Sequence, residues 1–261
     1  MDLAHQLIPM LKQLRLSGIL ETLEVRNRAA VDAKLSYVDV LAQLVEDEVE
    51  RRAQSKLKMR LRRAAFDPQK TLETFDFAAS PKLNQKELID LATCRFVERH
   101  QNVFFVGPAG VGKSHLAQAL GHEACRRGYD VVFLSASRAL AHLHAGRADG
   151  SYERRLAALV RPHLLILDDL GLKPLTRPAP EDLYEIIAGR YERGSIIVTS
   201  NRAFAEWPEV FGDQALLASA ALDRLAHDAH QIILTGESYR TRATRRRTAD
   251  KRNGNEARAE G

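Results

Sequence analysis

A short apolar run at residues 102–106 passes directly into a glycine-rich segment that ends in Lys-Ser. The segment from Gly107 to Ser114 has the spacing G-x-x-x-x-G-K-[ST], and residues 114–127 repeat apolar side chains at helical intervals. This order predicts a strand, a tight turn and a helix. Glycines let the backbone wrap closely around an anion, so that successive N–H groups and the positive end of the helix point at it. Such a turn is typical of a phosphate-binding site. An ordinary turn between strand and helix is the alternative.

We interpret the turn as a nucleotide-binding loop, because the strand, the glycines, the Lys-Ser pair and the helix all occur together. In such a loop Lys113 meets the β- and γ-phosphates, and the hydroxyl group of Ser114 binds Mg²⁺. The predicted contact residues are Gly107, Pro108, Ala109, Gly110, Val111, Gly112, Lys113, Ser114 and His115.

Two further predicted strands end in polar side chains. Residues 164–167 are apolar and are followed by Asp168 and Asp169, and residues 195–201 form an apolar run that ends at Asn201. Ligands of parallel sheets gather at the carboxyl ends of strands, so we predict that Asp168 holds Mg²⁺, Asp169 orients a water molecule and Asn201 lies beside the phosphates. The alternatives are an acidic turn and an asparagine that caps a strand end.

The order of apolar patterns defines the fold class. Predicted strands at residues 131–134, 164–167, 195–201 and 231–235 alternate with predicted helices at 136–147, 152–160, 181–193 and 216–230, and a further helix is predicted at 82–98 before the loop. Residues 71–77 between Pro68 and that helix are predicted to be extended. This alternation favours an α/β fold, a parallel sheet between helices. It follows a small, wholly helical region at residues 1–66.

The predicted helical region ends in a basic stretch. Seven cations occur within thirteen residues, while Leu57 and Leu61 keep an apolar seam. Such a run is either a solvated helix face or a contact with the phosphate backbone of DNA. The candidate DNA contacts are Arg51, Arg52, Lys56, Lys58, Arg60, Arg62 and Arg63.

Composition sets the remaining expectations. The 261 residues are 45% hydrophobic, which suffices for a packed core. With only two cysteines, no basic-then-apolar leader and no apolar run of about 20 residues, we expect a cytoplasmic protein with no contact with membranes. The nine histidines are scattered without a close acidic third ligand, which argues against a metal enzyme. The basic tail at residues 241–261 has little to bury and is predicted to be disordered.

These motifs together resemble those of AAA+ ATPases, and within that group the chain resembles the IstB-like helper ATPases of insertion-sequence transposition, relatives of the DnaC-type helicase loaders. The resemblance implies a P-loop NTPase domain at residues 67–240 that binds ATP and Mg²⁺. Residues 107–114 are similar to Walker A, residues 164–169 to Walker B and Asn201 to sensor 1. It also implies that Arg224 acts as an arginine finger in a neighbouring subunit and that Arg240 contacts the γ-phosphate of its own subunit.

The resemblance leaves some assignments open. Asp169 stands where most AAA+ proteins have glutamate, so hydrolysis is expected to be slow. Arg190, Arg193 and Arg202 are alternatives for the finger. The implied function is an ATP-dependent helper that oligomerises on target DNA as a ring or spiral and recruits a transposase. The alternatives are a DnaC-like replicative helicase loader and a scaffold that binds ATP without useful hydrolysis. Proteins that bind single-stranded DNA stack its bases on aromatic side chains, and the only aromatic residues of the helical region are Tyr37 and Phe66. We therefore expect the chain to bind duplex DNA, with little sequence specificity.

Overall fold

The computed structural model describes residues 3–236, 238 and 239, so Arg240 and the basic tail at 241–261 lie outside the described residues. Ten α-helices and five β-strands are found within this part of the chain. The helices are α1 Leu3–Gln13, α2 Ser17–Ala33, α3 Tyr37–Ala64, α4 Gln85–Ala92, α5 Arg95–Glu98, α6 Lys113–Arg126, α7 Ala136–Ala148, α8 Tyr152–Val160, α9 Ala179–Arg190 and α10 Ala215–Ala226; the strands are β1 Asn102–Val106, β2 Val131–Ser135, β3 Leu164–Leu170, β4 Ser195–Ser200 and β5 Ala229–Ile233.

The five strands form one parallel sheet in the order β2-β3-β4-β1-β5. All residues of β1 and β4 are buried, as expected for strands that are covered on both faces. On one face, Phe104 packs with Trp207 and with side chains of α7, α9 and α10. On the other face, Ile166 lies against Gly121 of α6. The predicted α/β sheet between helices is therefore confirmed.

By its contacts the chain divides into two units, Met1–Arg60 and Leu61–Gly261, with the division inside α3. In the first unit a small core forms around Leu11, Ile19 and Leu44. Its helices α2 and α3 approach closely at Gly18, whose N–H donates to the carboxylate of Glu48 at 2.6 Å. A Cβ at Gly18 would lie 2.7 Å from Glu48 Cα, so only glycine permits this approach. The predicted domain boundary at residue 66 stays a prediction.

Several local predictions were wrong. The predicted helix at 82–98 is two helices, because the Thr93 hydroxyl bonds the carbonyl of Asp90 and Cys94 adopts a φ of +60°. The helix predicted at 216–230 ends at Ala226, and a turn at Asp228 starts β5 two residues earlier than predicted. Residues 71–77 form bends and turns rather than an extended linker. The sequence predicted no element at Phe204–Phe211, which forms a 3₁₀ segment. Among the described residues no helix has the length and apolarity needed to span a bilayer.

Candidate functional site

The glycine-rich loop joins β1 to α6 and needs its glycines. Gly110 has a φ of +81°, and a Cβ there would lie 2.1 Å from Ser238 Oγ. Gly112 has a φ of +103°, and a Cβ there would lie 2.8 Å from Phe75 Cε2. No side chain caps the start of α6 at Lys113. The loop therefore presents close-packed backbone and an uncapped helix start, which suit an anion.

Lys113 lies at the centre of the site. Its side chain is buried, and Nζ donates to the carbonyl oxygen of Pro108 at 2.7 Å and to Oδ1 of Asn201 at 2.5 Å. This contact is possible because β1 and β4 are neighbours, with Val106 opposite Ser200. The structure thus brings Asn201 to the loop lysine. A buried ammonium group at the end of the glycine-rich loop is suited to an anionic ligand.

The two aspartates lie at an irregularity of β3. The sequence pattern predicts that the strand ends before them, but β3 continues to Leu170 and its register with β4 shifts between Leu167 and Leu170. Asp169 has a φ of +57° and lines the cavity beside the loop, whereas Asp168 is half-buried. Such a bulge turns a side chain away from the regular pleat. It explains how consecutive acids take different positions.

Thr199 connects the two acids and was missed by the sequence analysis. Its hydroxyl group donates to Asp168 Oδ1 at 2.5 Å, and its Oγ1 accepts the backbone N–H of Asp169 at 2.9 Å. One side chain of β4 therefore fixes both the carboxylate of Asp168 and the backbone of Asp169. The available signal was its position, two residues before Asn201 on a strand ending at the same sheet edge.

A cavity of about 420 Å³ extends from the loop. Seven of the nine predicted loop residues line it, from Ala109 to His115, together with Asp169 and Asn201. Gly107 and Pro108 support it instead, because the Gly107 N–H donates to Ser200 O and the Pro108 carbonyl accepts from Lys113. The volume lies within the range of about 300–1,000 Å³ that is usual for small-molecule sites.

One wall of this cavity is formed by a segment for which the sequence predicted no role in the site. Its lining includes Lys70, Thr74, Phe75, Asp76, Ala79 and Ser80, with Leu172, Thr235 and Tyr239 at other edges. The Phe75 ring meets His115 edge to face, with centroids 5.2 Å apart. His115 Nε2 lies 2.8 Å from the carbonyl oxygen of Thr71. Burial lowers the pKa of His115, so this ring is neutral near pH 7 and adds no charge to the loop.

The candidate metal ligands Ser114 and Asp168 are both oxygen donors, which matches the preference of Mg²⁺. Within residues 3–236, 238 and 239, no three His, Cys, Asp or Glu side chains form a cluster that could hold a metal. Mg²⁺ commonly binds through one or two protein oxygens and the phosphates of its substrate. The residues present therefore fit a magnesium ion that arrives with a nucleotide.

Arg224 lies away from the nucleotide-sized cavity. It lines a smaller cavity of about 220 Å³ with Asn102 and Ile196, at the amino ends of β1 and β4 and thus at the opposite edge of the sheet. Its Nη1 donates to the carbonyl of Ala220, and its guanidinium group lies 5.4 Å from the ring centroid of Tyr184. In its own chain Arg224 therefore faces a different site.

The alternative finger arginines have other partners. Arg190 is buried and donates to the carbonyl oxygens of Leu159, Val160, His163 and Ser195, which ties α8 to β4. Arg202 donates to the carbonyl of Gly171 and pairs with Glu209 at 2.8 Å. Arg193 is exposed. Arg190 is thus engaged within the fold and unsuited to a finger.

The seven candidate DNA contacts all lie on α3. At roughly 100° per residue, five of them lie on the side of the helix away from Leu57 and Leu61, and Lys58 and Arg60 flank the two leucines. Arg51 pairs with Glu21 at 3.0 Å and Arg52 with Glu48 at 2.7 Å, and these two pairs stay inside the first unit. In the second unit, Arg63 lies 3.9 Å from Asp130. Lys56, Lys58, Arg62 and Arg63 are exposed and Arg60 is half-buried.

The five-stranded parallel sheet, the glycine-rich loop at β1 and the acids on β3 define a P-loop NTPase of the AAA+ class. The sequence pattern of the IstB-like ATP binding protein family matches residues 9–247. The chain belongs to this family, which confirms the resemblance seen in the motifs.

Individual relatives agree with this assignment. The chain is 44% identical to an ATP-binding protein of an insertion sequence from Mycobacterium tuberculosis, over 91% of this chain and 95% of the relative. It is 38% identical to the ATP-binding protein of insertion sequence IS21 from Pseudomonas aeruginosa, over 93% and 91% of the two chains.

Solved structures share the fold. DnaI aligns with a TM-score of 0.54 at 22% identity, over 66% of this chain and 94% of that chain. The AMPPCP-bound DnaA from Aquifex aeolicus aligns with a TM-score of 0.53 at 25% identity, over 64% of this chain; the alignment spans half the length of that DnaA chain. Both likenesses concern the AAA+ fold.

Proposed function

We propose that this chain is a Mg²⁺-dependent ATPase that assembles on target DNA and recruits the transposase of its insertion sequence. The observation that carries the proposal is the cluster around Lys113, in which Asn201, Asp169 and the glycine-rich loop share one cavity. The insertion-sequence relatives, described as ATP-binding, support the same reading.

The phosphates are bound by the loop and the start of α6. Lys113 donates to the charged phosphate oxygens, and such charge-assisted hydrogen bonds are stronger than those to neutral acceptors. Ser114 and Asp168 would hold Mg²⁺, which would neutralise negative charge on the phosphates. Asp169 orients the attacking water molecule, and Thr199 keeps its backbone in place. Asn201 sits beside Lys113 at the position where the terminal phosphate is sensed.

The nucleoside lies against the wall formed by the segment before α4. Phe75 supplies an aromatic ring there, and the His115 ring meets it edge to face. Asp76 and Ser80 are polar groups in the same wall. A cavity that combines the phosphate loop with an aromatic ring and polar wall groups suits a nucleoside triphosphate.

Arg224 completes the site of a neighbouring subunit. Because it lies at the sheet edge opposite its own loop, it reaches a nucleotide only in a head-to-tail assembly, which forms a ring or a spiral. Positive charge from the neighbour then stabilises the charge that develops on the phosphates. Nucleotide binding and oligomer formation are coupled in consequence.

A mixing experiment tests the trans arrangement. Arg224→Ala and Lys113→Ala are each expected to be inactive alone, because one lacks the finger and the other the phosphate lysine. An equal mixture is expected to recover roughly a quarter of native turnover, the chance that an intact loop meets an intact finger in a random head-to-tail assembly. Phosphate release measures this, with the exposed Arg154→Ala as a control of unchanged activity. An inactive mixture, or normal turnover by Arg224→Ala alone, would refute the arrangement.

The basic half of α3 contacts the DNA backbone. The triple variant Lys56→Ala, Lys58→Ala, Arg62→Ala removes three exposed cations that have no part in the Glu21 and Glu48 pairs. We expect weaker duplex binding and a slope of log K against log salt that is smaller by about 3, since each phosphate contact contributes about 0.9. Titrations by fluorescence anisotropy at several salt concentrations measure both quantities.

The matched control removes the same charge elsewhere. Lys82, Lys86 and Arg154 are exposed cations outside α3, and their triple alanine variant is expected to keep the native salt slope. Equal slopes for both triple variants would show that α3 is not the DNA surface. The same titration with single-stranded DNA separates the helicase-loader alternative, which requires the single strand to bind more tightly than the duplex.

Recruitment of the transposase is tested directly. In a pull-down, the protein loaded with AMPPCP on duplex DNA is expected to retain the transposase encoded in the same insertion sequence. When ATP replaces AMPPCP and is hydrolysed, the protein is expected to release the transposase. Retention of a replicative helicase in place of the transposase would favour the loader.

A further inference from the structure

The ten residues 66–75, here named the strap, run from the end of α3 to the nucleotide cavity along α6. All of them belong to the second unit. Their partners on α6, at positions 115, 118 and 122, are spaced three and four residues apart and so share one face of that helix. The same helix begins at the phosphate loop.

The first end of the strap is anchored by Phe66. Its ring centroid lies 4.8 Å from that of His122 and 5.9 Å from that of Phe133. Gly121 makes the room for this ring, since a Cβ there would lie 2.4 Å from Phe66 Cζ. The absence of a side chain at one position of α6 therefore permits the anchor.

The middle of the strap is held by polar contacts. The N–H of Asp67 donates to Gln118 Oε1 at 2.9 Å, and the carbonyl oxygen of Asp67 lies 3.2 Å from His122 Nε2. Further along, Glu73 pairs with Arg126 at 3.0 Å. Both backbone polar groups of Asp67 thus use side chains of α6 as partners.

The second end of the strap enters the nucleotide cavity. Thr71 O contacts His115, and Phe75 packs against both His115 and Gly112. A nucleotide in this cavity touches the strap and the first turn of α6 together. The positions of these two elements relative to one another consequently matter for its affinity.

We infer that the strap is the route by which a nucleotide in the cavity acts on Arg62 and Arg63, and through them on the DNA binding of the proposed function. Phe66 follows Arg63 by three residues, and all of these residues lie in the second unit. A nucleotide that favours one packing of Phe75 on His115 favours one packing of Phe66 on α6, which fixes the last turn of α3. This inference rests on the proposed function, because it requires both ATP and DNA binding. By linkage, DNA tightens ATP binding by the same factor.

The test uses Gly121→Ala, whose added methyl group displaces the Phe66 ring and also meets Cδ1 of Ile166 in β3, while the loop residues and the cations are unchanged. For the native protein, AMPPCP is expected to tighten duplex DNA binding by about 5-fold or more, the lower range of allosteric coupling. In Gly121→Ala this factor is expected to fall below about 2-fold, while AMPPCP affinity stays within about 3-fold of native. Anisotropy of labelled DNA with and without AMPPCP measures the factor. An unchanged factor in the variant overturns the inference.

Two further variants separate lost contact from misfolding. Phe66→Ala is expected to lose the coupling between AMPPCP and DNA binding, as Gly121→Ala does. Phe66→Leu keeps an apolar side chain packed against α6 and is expected to retain most of this coupling. The double variant is expected to match Phe66→Ala, since without the ring the added methyl group meets Cδ1 of Ile166, the flexible end of a side chain that can move aside. A Phe66→Ala protein with native coupling refutes the strap. Native protein that binds AMPPCP and DNA without mutual effect refutes it as well, while leaving the proposed function intact; failure to bind either ligand refutes the proposed function itself.

Discussion

Asp169→Asn is expected to lower ATP turnover by about 100-fold or more, the usual contribution of a residue that positions or activates the attacking group. ATP affinity is expected to stay within about 3-fold of native, because Lys113, Ser114 and the loop are unchanged. Asparagine also tolerates the left-handed conformation that Asp169 adopts at φ +57°, so the bulge persists. Steady-state phosphate release and equilibrium binding of labelled ATP measure the two quantities separately.

The same substitution at the exposed Asp213 serves as the control and is expected to leave turnover unchanged. Because bound ATP is no longer consumed, the Asp169→Asn protein is also expected to remain on DNA after ATP is added, which a dissociation time course follows. Native turnover in Asp169→Asn removes this carboxylate from the mechanism. Loss of ATP binding together with turnover shows that Asp169 supports the loop rather than the water molecule.

Lys113→Ala is expected to abolish ATP binding. Truncating one partner of a buried, hydrogen-bonded charge pair costs about 2–5 kcal/mol, which is a loss of affinity of roughly 30-fold to several thousand-fold. The variant also removes the hydrogen bonds from Lys113 Nζ to Pro108 and Asn201, which connect the loop to the end of β4. Isothermal titration with ATP and Mg²⁺ measures the loss.

Lys70→Ala is the matched control, since Lys70 lines the same cavity but lies on the segment before α4. Its ion pair with Asp67 spans 3.9 Å and is solvent-exposed, so we expect an effect below about 1 kcal/mol. Thermal unfolding of both variants should remain cooperative. Equal losses of ATP affinity at Lys70 and Lys113 would show that the affinity reflects general positive charge and not the phosphate loop.

The sequence predicted those parts of the fold that depend on short, regular patterns. The strand before Gly107, the helix after Lys113 and the apolar run before Asp168 each occupy consecutive residues, and their burial follows from their periodicity. The proximity of Asn201 to the loop also followed from the sequence, because parallel strands end at one edge.

The remaining parts depend on contacts between residues far apart in the chain. Thr199 has an ordinary strand pattern, and its link to Asp168 and Asp169 appears only when β3 and β4 pair with a bulge. The strap has no period, because its conformation is set by partners on α6 more than forty positions later. The predicted helix is interrupted at Cys94, which has a left-handed backbone conformation. No glycine or proline at this position indicates the interruption in the sequence.

Every proposed activity of the chain requires that the cavity between the loop and residues 70–80 binds a nucleoside triphosphate through Lys113. Equilibrium titration of the native protein with fluorescent ATP and Mg²⁺ tests it most directly. We predict saturable binding at one site per chain, competed by unlabelled ATP and absent in Lys113→Ala. Lack of saturable binding by the folded native protein, or native affinity in Lys113→Ala, would contradict the claim.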